Sequence, residues 1–116
     1  MEFRKLKVYN LAIDFSADVY EVSKDIPEHE KYGLISQMRR AAVSIALNIA
    51  EGSGSGSDAE FSRFLRMAIR SLYEIDAIFE LLVRLKYCKK ERLEEIYNKR
   101  LVLGKMLGQF IKTLKA

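Results

Sequence analysis

Cysteine and histidine are nearly missing from this chain of 116 residues, which contains one of each. Cys88 has no second cysteine to pair with, so neither a disulfide nor a cysteine metal cluster can form within one chain. A di-iron bundle needs Glu-x-x-His pairs on facing helices, but the residue three positions before His29 is Ile26. The residues around His29 also give no sign of Ser-His-Asp chemistry. We therefore expect no metal, no cofactor and no enzyme activity, and we interpret His29 as an exposed residue near a helix start.

Long hydrophobic runs are missing as well. No apolar stretch reaches the roughly 18 residues that a membrane span requires. Near the N-terminus, Asp14 interrupts the only stretch that could have formed the apolar core of a signal peptide. We therefore expect a cytoplasmic protein without a membrane partner.

Proline occurs once, at Pro27, and no segment shows the alternation typical of a strand. Instead, apolar residues recur every three or four positions, which predicts helices at about residues 6–24, 28–51, 58–87 and 91–114. Comparable lengths and short connections favour an all-α, antiparallel up-down-up-down four-helix bundle that forms a single domain over residues 1–116. The predicted seam of the third helix consists of Phe61, Leu65, Ala68, Leu72, Ile75, Phe79 and Leu82.

Glycine and serine alternate at residues 52–57, between the second and third helices. A phosphate loop follows a strand and ends in Gly-Lys-Ser/Thr, whereas this tract follows a helix and has no lysine, so we interpret it as a flexible connection. At its end, Ser57 and Glu60 predict a capping box. In such a box the serine accepts a bond from the third helical N–H, and the glutamate reaches back to the cap.

The middle of the second helix, residues 41–50, carries no charge on any face. A surface helix needs a polar side, so this segment should be covered on more than one side. On the fourth helix, Val102 and Met106 lie on a face outside its two apolar lines, one of which Arg100 interrupts. Exposed apolar patches of this kind mark association surfaces. We predict self-association; the alternative is a broad core with ordinary surface aliphatics.

Polar residues recur at helical spacing inside the apolar stretches of the second and third helices. They are Ser44, Asn48, Glu51, Ser71 and Glu74, with Gln37 or Arg40 as further possible partners. Buried polar groups need hydrogen-bond partners, so we predict a network that fixes the register of the two helices. The alternative is an acid/base site that uses Glu51 and Glu74, although no nucleophile, metal ligand or second histidine accompanies them.

The net charge of +4 is concentrated at the end of the chain, where residues 89–116 contain eight Lys or Arg and three Glu. Two basic stripes provide the candidates for nucleic-acid contact: Arg63, Arg66, Arg70 and Tyr73 on the third helix, and Lys105, Lys112 and Lys115 on the fourth. Arginines beside an aromatic side chain suit a phosphate backbone with a stacked base. The alternative is a solvated face in which Glu60 and Glu74 pair with Arg63 and Arg70.

Motifs along nearly the whole chain are similar to those of one protein family. They lie at residues 6–9, 27–34, 37–45, 48–52, 60–61, 64–65, 68 and 71–74. This pattern resembles the bacterial four-helix-bundle proteins that are encoded in intervening sequences of 23S ribosomal RNA genes. One departure is the loop before Glu60, which is often rich in Arg or Lys in the family but consists of Gly and Ser here, so we expect no phosphate contact from this loop.

The resemblance implies a ring-shaped homopentamer without catalytic activity. It also implies a likeness to the accessory protein of diversity-generating retroelements, which works with nucleic acid and a reverse transcriptase. The implied partners are therefore other copies of the chain, RNA or DNA, and a protein such as a reverse transcriptase. The resemblance marks nine residues as determinants of the fold and of the interface between subunits: Gln37, Arg39, Arg40, Ser44, Asn48, Glu51, Gly52, Ser71 and Glu74.

Three functions follow as hypotheses. The first is a non-enzymatic, oligomeric accessory protein that binds structured RNA or another nucleic acid through its basic faces. The second is an oligomeric scaffold or adaptor for a protein partner, without nucleic-acid binding. The third is an enzyme that uses Glu51 and Glu74. Salt-sensitive RNA binding distinguishes the first from the second, because phosphate contacts release counterions.

Overall fold

The computed structural model of the chain describes residues 2–114, and this range contains helices but no strand. The four α-helices are α1 (Lys7–Ser23), α2 (Leu34–Ser53), α3 (Asp58–Arg84) and α4 (Lys90–Thr113). α1 packs against α2 and α4, and α3 packs against the same two helices, so α2 and α4 lie across the core from each other. The fold is therefore all-α, as predicted. The molecule measures 44 × 25 × 20 Å, and the helices follow its long axis, since α3 alone spans about 40 Å.

The core is built from one stripe of each helix. In α3, all seven residues of the predicted seam, from Phe61 to Leu82, are buried. Phe15 of α1, Ile45 of α2 and Leu103 of α4 are fully buried in the same hydrophobic core. Within residues 2–114, no helix has the length and apolar content needed to cross a membrane.

The second helix begins later than the predicted residue 28. Glu28–Glu30 form a separate 3₁₀ turn after Pro27, and α2 begins only at Leu34. Gly33 divides the two elements because its backbone, with φ −110° and ψ −111°, lies outside the helical region. The prediction joined them because acidic residues after a proline are typical of a first helical turn.

The third helix ends earlier than the predicted residue 87. Arg84 is its last residue, and Lys86 has a φ of 63°, a left-handed conformation that a right-handed helix cannot include. The backbone N–H groups of Tyr87 and Cys88 both donate to the carbonyl of Leu82, at 2.9 and 3.2 Å, and so close the helix end. The other helix ends lie within one or two residues of the predicted ones.

The start of α3 contains half of the predicted capping box. Ser57 Oγ accepts a hydrogen bond from the Glu60 N–H at 3.1 Å. The Glu60 carboxylate does not reach back to the cap, because both of its oxygens accept bonds from the Arg63 guanidinium at 3.1 and 3.0 Å. A bidentate bond to a cation is stronger than a single bond from a neutral N–H, so Arg63 takes the carboxylate.

Gly52 allows the end of α2 to approach the start of α3. A Cβ atom at this position would lie 2.8 Å from Cβ of Phe64 and 2.9 Å from Cδ1 of Phe61. Contacts this short are not tolerated between carbon atoms, so the close approach requires glycine. Gly52, which the family resemblance marks, therefore has a role in helix contact within the subunit.

Candidate nucleic-acid interface

Two serine hydroxyls join α2 to α3 in the middle of the bundle. Ser44 Oγ lies 2.5 Å from Ser71 Oγ. Each hydroxyl also has a carbonyl of its own helix within reach, Ala41 at 2.8 Å from Ser44 Oγ and Met67 at 3.3 Å from Ser71 Oγ, and either serine can donate to the other. Asn48 Nδ2 donates to the Ser44 carbonyl at 2.8 Å. Of the predicted polar network, the structure therefore contains the part that joins Ser44, Asn48 and Ser71.

The prediction of a wider network between α2 and α3, which included Glu51 and Glu74, is wrong. Glu51, Glu74, Gln37 and Arg40 are exposed, and within residues 2–114 none of them bonds to the serine pair. They point outward because the short serines, which meet each other directly, allow the helices to approach without longer side chains between them. From the antiparallel serine contact, the backbone positions of Glu51 and Glu74 are roughly 15 Å apart along the helix axes. That separation is too large for a shared acid/base site.

Arg39 contacts α1. Its Nε donates to Ser23 Oγ at 2.9 Å, and its Cζ lies 4.9 Å from the centre of the Tyr20 ring. Ser23 Oγ in turn donates to the Tyr20 carbonyl at 2.6 Å. The hydrogen bond and the cation–π contact together stabilise the contact between α1 and α2.

The arginine stripe of α3 is exposed, but its members differ in their charge partners. Arg63 is paired with Glu60 and holds the pKa of that carboxyl below its usual range through hydrogen bonds and charge attraction. Arg66 and Arg70 have no carboxylate within 4.0 Å among residues 2–114. The predicted alternative of an Arg70–Glu74 pair is therefore not found. The stripe offers two guanidinium groups to an external anion.

Tyr73 continues this stripe, with 65% of its surface exposed. Arg100 of α4 lies against its ring, with Cζ 5.7 Å from the ring centre. Arg100 also donates two hydrogen bonds to the Asp76 carboxylate, at 2.7 and 2.8 Å. A Cβ atom at Gly104 would lie 2.7 Å from Nη1 of Arg100, so glycine there makes room for the guanidinium.

This arrangement around Arg100 was not predicted from the sequence, where the residue is seen only as an interruption of an apolar line. Its side chain is 11% exposed, which is rare for a charged residue unless it is paired. The available signal was a basic residue at a core position of α4 together with an acidic residue, Asp76, beside the seam of α3.

An open groove of about 650 Å³ lies on the seam between α3 and α4. Phe79 and Glu80 of α3 and Asn98 of α4 are among the residues that line it. Residues seven positions apart share a helix face. Steps of seven from Glu80 toward the start of α3 reach Tyr73 and Arg66, so the α3 stripe borders the same side of this seam.

The lysine stripe of α4 borders the seam as well. Steps of seven from Asn98 reach Lys105 and Lys112, both of which are exposed and have no carboxylate within 4.0 Å in the described part of the chain. Lys115, the third predicted lysine, lies outside the described residues. By this helical spacing, members of both predicted basic stripes lie along the same seam, and we call the following set the α3–α4 face: Arg66, Arg70, Tyr73, Lys105 and Lys112.

The side chains that most often perform catalysis are engaged elsewhere. His29 is exposed, and its Nε2 lies 3.1 Å from the Tyr87 hydroxyl, which donates to the Glu30 carboxylate at 3.0 Å. The bond to Glu30 raises the pKa of Tyr87, because the ionised phenol would lose it. Burial raises the pKa of the Cys88 thiol, which lowers its reactivity. Within residues 2–114, no three His, Cys, Asp or Glu side chains form a group that could hold a metal ion.

Comparison with known proteins supports one family. No curated protein matches the chain. Among solved structures, the chain is similar to a protein with unknown function from the S23 ribosomal protein family of Bacteroides thetaiotaomicron VPI-5482. The two share 28% identity over 90% of this chain and 98% of that chain, with a TM-score of 0.82. The family model described as 23S rRNA-intervening sequence protein matches residues 4–109. Because this match covers most of the chain and reaches into all four helices, the chain belongs to the 23S rRNA-intervening sequence protein family.

Proposed function

We propose that the protein is a non-enzymatic, self-associating accessory protein that binds structured RNA or another nucleic acid through the α3–α4 face. The observation that supports this role is the set of four cations on that face, Arg66, Arg70, Lys105 and Lys112, without carboxylate partners in residues 2–114. Each of them is available to a phosphate group. Contacts between such cations and phosphates supply most of the affinity of non-specific nucleic-acid binding.

Exposed apolar side chains on opposite sides of the subunit support self-association. Leu47 of α2 is 54% exposed and Val102 of α4 is 53% exposed, and these two helices lie across the core from each other. Met106, the other predicted association residue of α4, is only partly exposed and packs against the core. Exposed apolar residues on opposite sides suit head-to-tail contact between copies, which forms a ring when the rotation closes. A ring of this kind agrees with the homopentamer that the family resemblance implies.

A scaffold for a protein partner, such as a reverse transcriptase, is the second candidate. The open groove between α3 and α4 favours it, because Phe79, Val83 and Tyr97 line part of that groove. Apolar groups in a groove suit the insertion of apolar side chains from another protein. In this case the ring would present one groove per subunit and would not bind nucleic acid.

The test combines subunit mass with nucleic-acid binding on the same purified sample. Light scattering gives the mass, and RNA and DNA binding are then measured at about 50 and 200 mM salt. We expect a mass near five subunits and binding that weakens steeply at the higher salt, because phosphate contacts release counterions. Arg66→Glu and Lys112→Glu should each reduce binding. Lys31→Glu is the matched control, since it makes the same charge change at an exposed residue in the α1–α2 connection.

Each result bears on a separate part of the proposal. An assembled ring that binds neither RNA nor DNA at either salt contradicts the nucleic-acid role and favours the scaffold. A monomer contradicts the head-to-tail ring. A hydrolase or transferase activity that is lost in a folded Glu74→Gln variant would show that the protein is an enzyme after all.

A further inference from the structure

Tyr73 is an exposed ring whose orientation is fixed from one side. The Arg100 guanidinium lies against it, with Cζ 5.7 Å from the ring centre. Arg100 cannot easily move away, because it is 11% exposed and makes two hydrogen bonds to Asp76, in space left open by Gly104. Since 65% of Tyr73 is exposed, most of its surface faces solvent on the side away from Arg100.

Exposure alone would not distinguish this tyrosine from others. Tyr32 is 89% exposed and also lies near a cation, Lys31, at 5.7 Å. However, Lys31 is its neighbour in a turn between helices, and no ion pair within residues 2–114 holds that lysine in place. Tyr73 therefore differs from Tyr32 in that an ion pair anchors its supporting cation, and Tyr32 provides a natural comparison. Tyr20 also lies under an anchored cation, Arg39, but it is less exposed, at 40%.

The surroundings of Tyr73 are those of a strand-binding surface. Arg70 and Arg66 precede it by one and two helical turns, and side chains one turn apart are about 5–6 Å from each other at Cβ. Lys105 borders the same seam from α4. A nucleotide whose base lies on Tyr73 would therefore have its flanking phosphates within reach of these cations. Aromatic rings among cations are the combination with which proteins bind single strands.

We infer that Tyr73 is a stacking platform for an unpaired nucleobase, so that the nucleic acid bound at the α3–α4 face presents single-stranded nucleotides there. In a duplex each base is already covered by its neighbours, so only a base in a free strand, a loop or a bulge can lie on the ring. This inference rests on the proposed function, because the cations must first hold the backbone. It adds which nucleotides are recognised and by which side chain.

The experiment compares three labelled ligands of equal length by fluorescence anisotropy: a single-stranded oligonucleotide, its duplex, and an abasic strand that keeps the phosphates without the bases. Tyr73→Ala should weaken binding of the single strand roughly 5- to 150-fold, and should leave the abasic strand and the duplex unchanged. Tyr73→Phe should retain the affinity of the wild type, because the ring performs the stacking. Tyr32→Ala is the matched control and should change none of the three affinities.

A second variant tests the support of the ring. Gly104→Ala displaces the Arg100 guanidinium without altering Tyr73, and it should weaken single-strand binding while circular dichroism shows an intact fold. The stacking role is overturned if Tyr73→Ala affects the single strand and the abasic strand equally, or affects neither. If that result occurs while Arg70→Glu weakens all three ligands, the proposed nucleic-acid function stands without the stacking platform. If the wild type binds none of the three, both proposals are wrong.

Discussion

Replacing Gly52 by alanine should destabilise the protein, although alanine is the better helix former. Within α2 the exchange favours folding by up to about 1 kcal/mol. The new Cβ, however, would lie 2.8 Å from Cβ of Phe64 and 2.9 Å from Cδ1 of Phe61. Cβ of Phe64 is attached directly to the backbone of α3 and cannot rotate away, so the helices must separate, at a cost of about 1–3 kcal/mol. We expect a net loss of about 1 kcal/mol in the free energy of unfolding.

Gly108→Ala is the matched control for this substitution. Gly108 lies within α4, and no atom lies within 4 Å of the position of its Cβ. We therefore expect a gain of up to about 1 kcal/mol, the ordinary preference of a helix for alanine. Urea unfolding followed by circular dichroism measures both differences, at one protein concentration because association adds to stability. Equal stabilisation by the two substitutions would refute the reasoning about Gly52.

Three further results are expected. Ser57→Ala removes the N-cap bond of α3 and should cost about 1 kcal/mol in urea unfolding, whereas Ser57→Asp should keep the wild-type stability. Asp76→Ala leaves Arg100 without its counter-charge and should lower the free energy of unfolding by roughly 2 kcal/mol. Adding Arg100→Met should recover part of this loss, and a double variant without any recovery would contradict the pairing. The hydrogen bond to Asp18 raises the pKa of Lys99 above its unfolded value of about 10.4. The stability that the Lys99–Asp18 pair adds to the folded protein is present below about pH 10 and is lost as pH rises through the folded pKa of Lys99. The midpoint temperature of thermal unfolding should therefore fall less steeply with rising pH in that alkaline range for Asp18→Asn than for the wild type.

The core could be predicted from periodicity because burial repeats along a helix. The seam from Phe61 to Leu82 is buried in full, since apolar residues three and four apart share one face. Helix ends were less predictable. The late start of α2 and the early end of α3 depend on the backbone angles of Gly33 and Lys86, and periodicity carries no information about such single residues.

In the candidate site, too, helical spacing predicted some features and missed others. Helical spacing predicts that Ser44 and Ser71 each lie on a polar face, and the structure joins them. Spacing does not show how far such a face extends toward the neighbouring helix, which is why the longer Glu51 and Glu74 were wrongly included. Likewise, the placement of both basic stripes on one seam depends on the rotation of α4 about its own axis, which only the tertiary contacts determine.

The space beside Gly104 links two positions that are four residues apart in the chain. A β-carbon at 104 would lie 2.7 Å from Nη1 of Arg100, so a change at 104 alters the position of the Arg100 guanidinium. An alanine at 104 displaces the end of the Arg100 side chain, and a shorter residue at 100 removes the close contact altogether. Mutational drift should therefore change the two together, and anyone redesigning this seam must choose both residues as one unit.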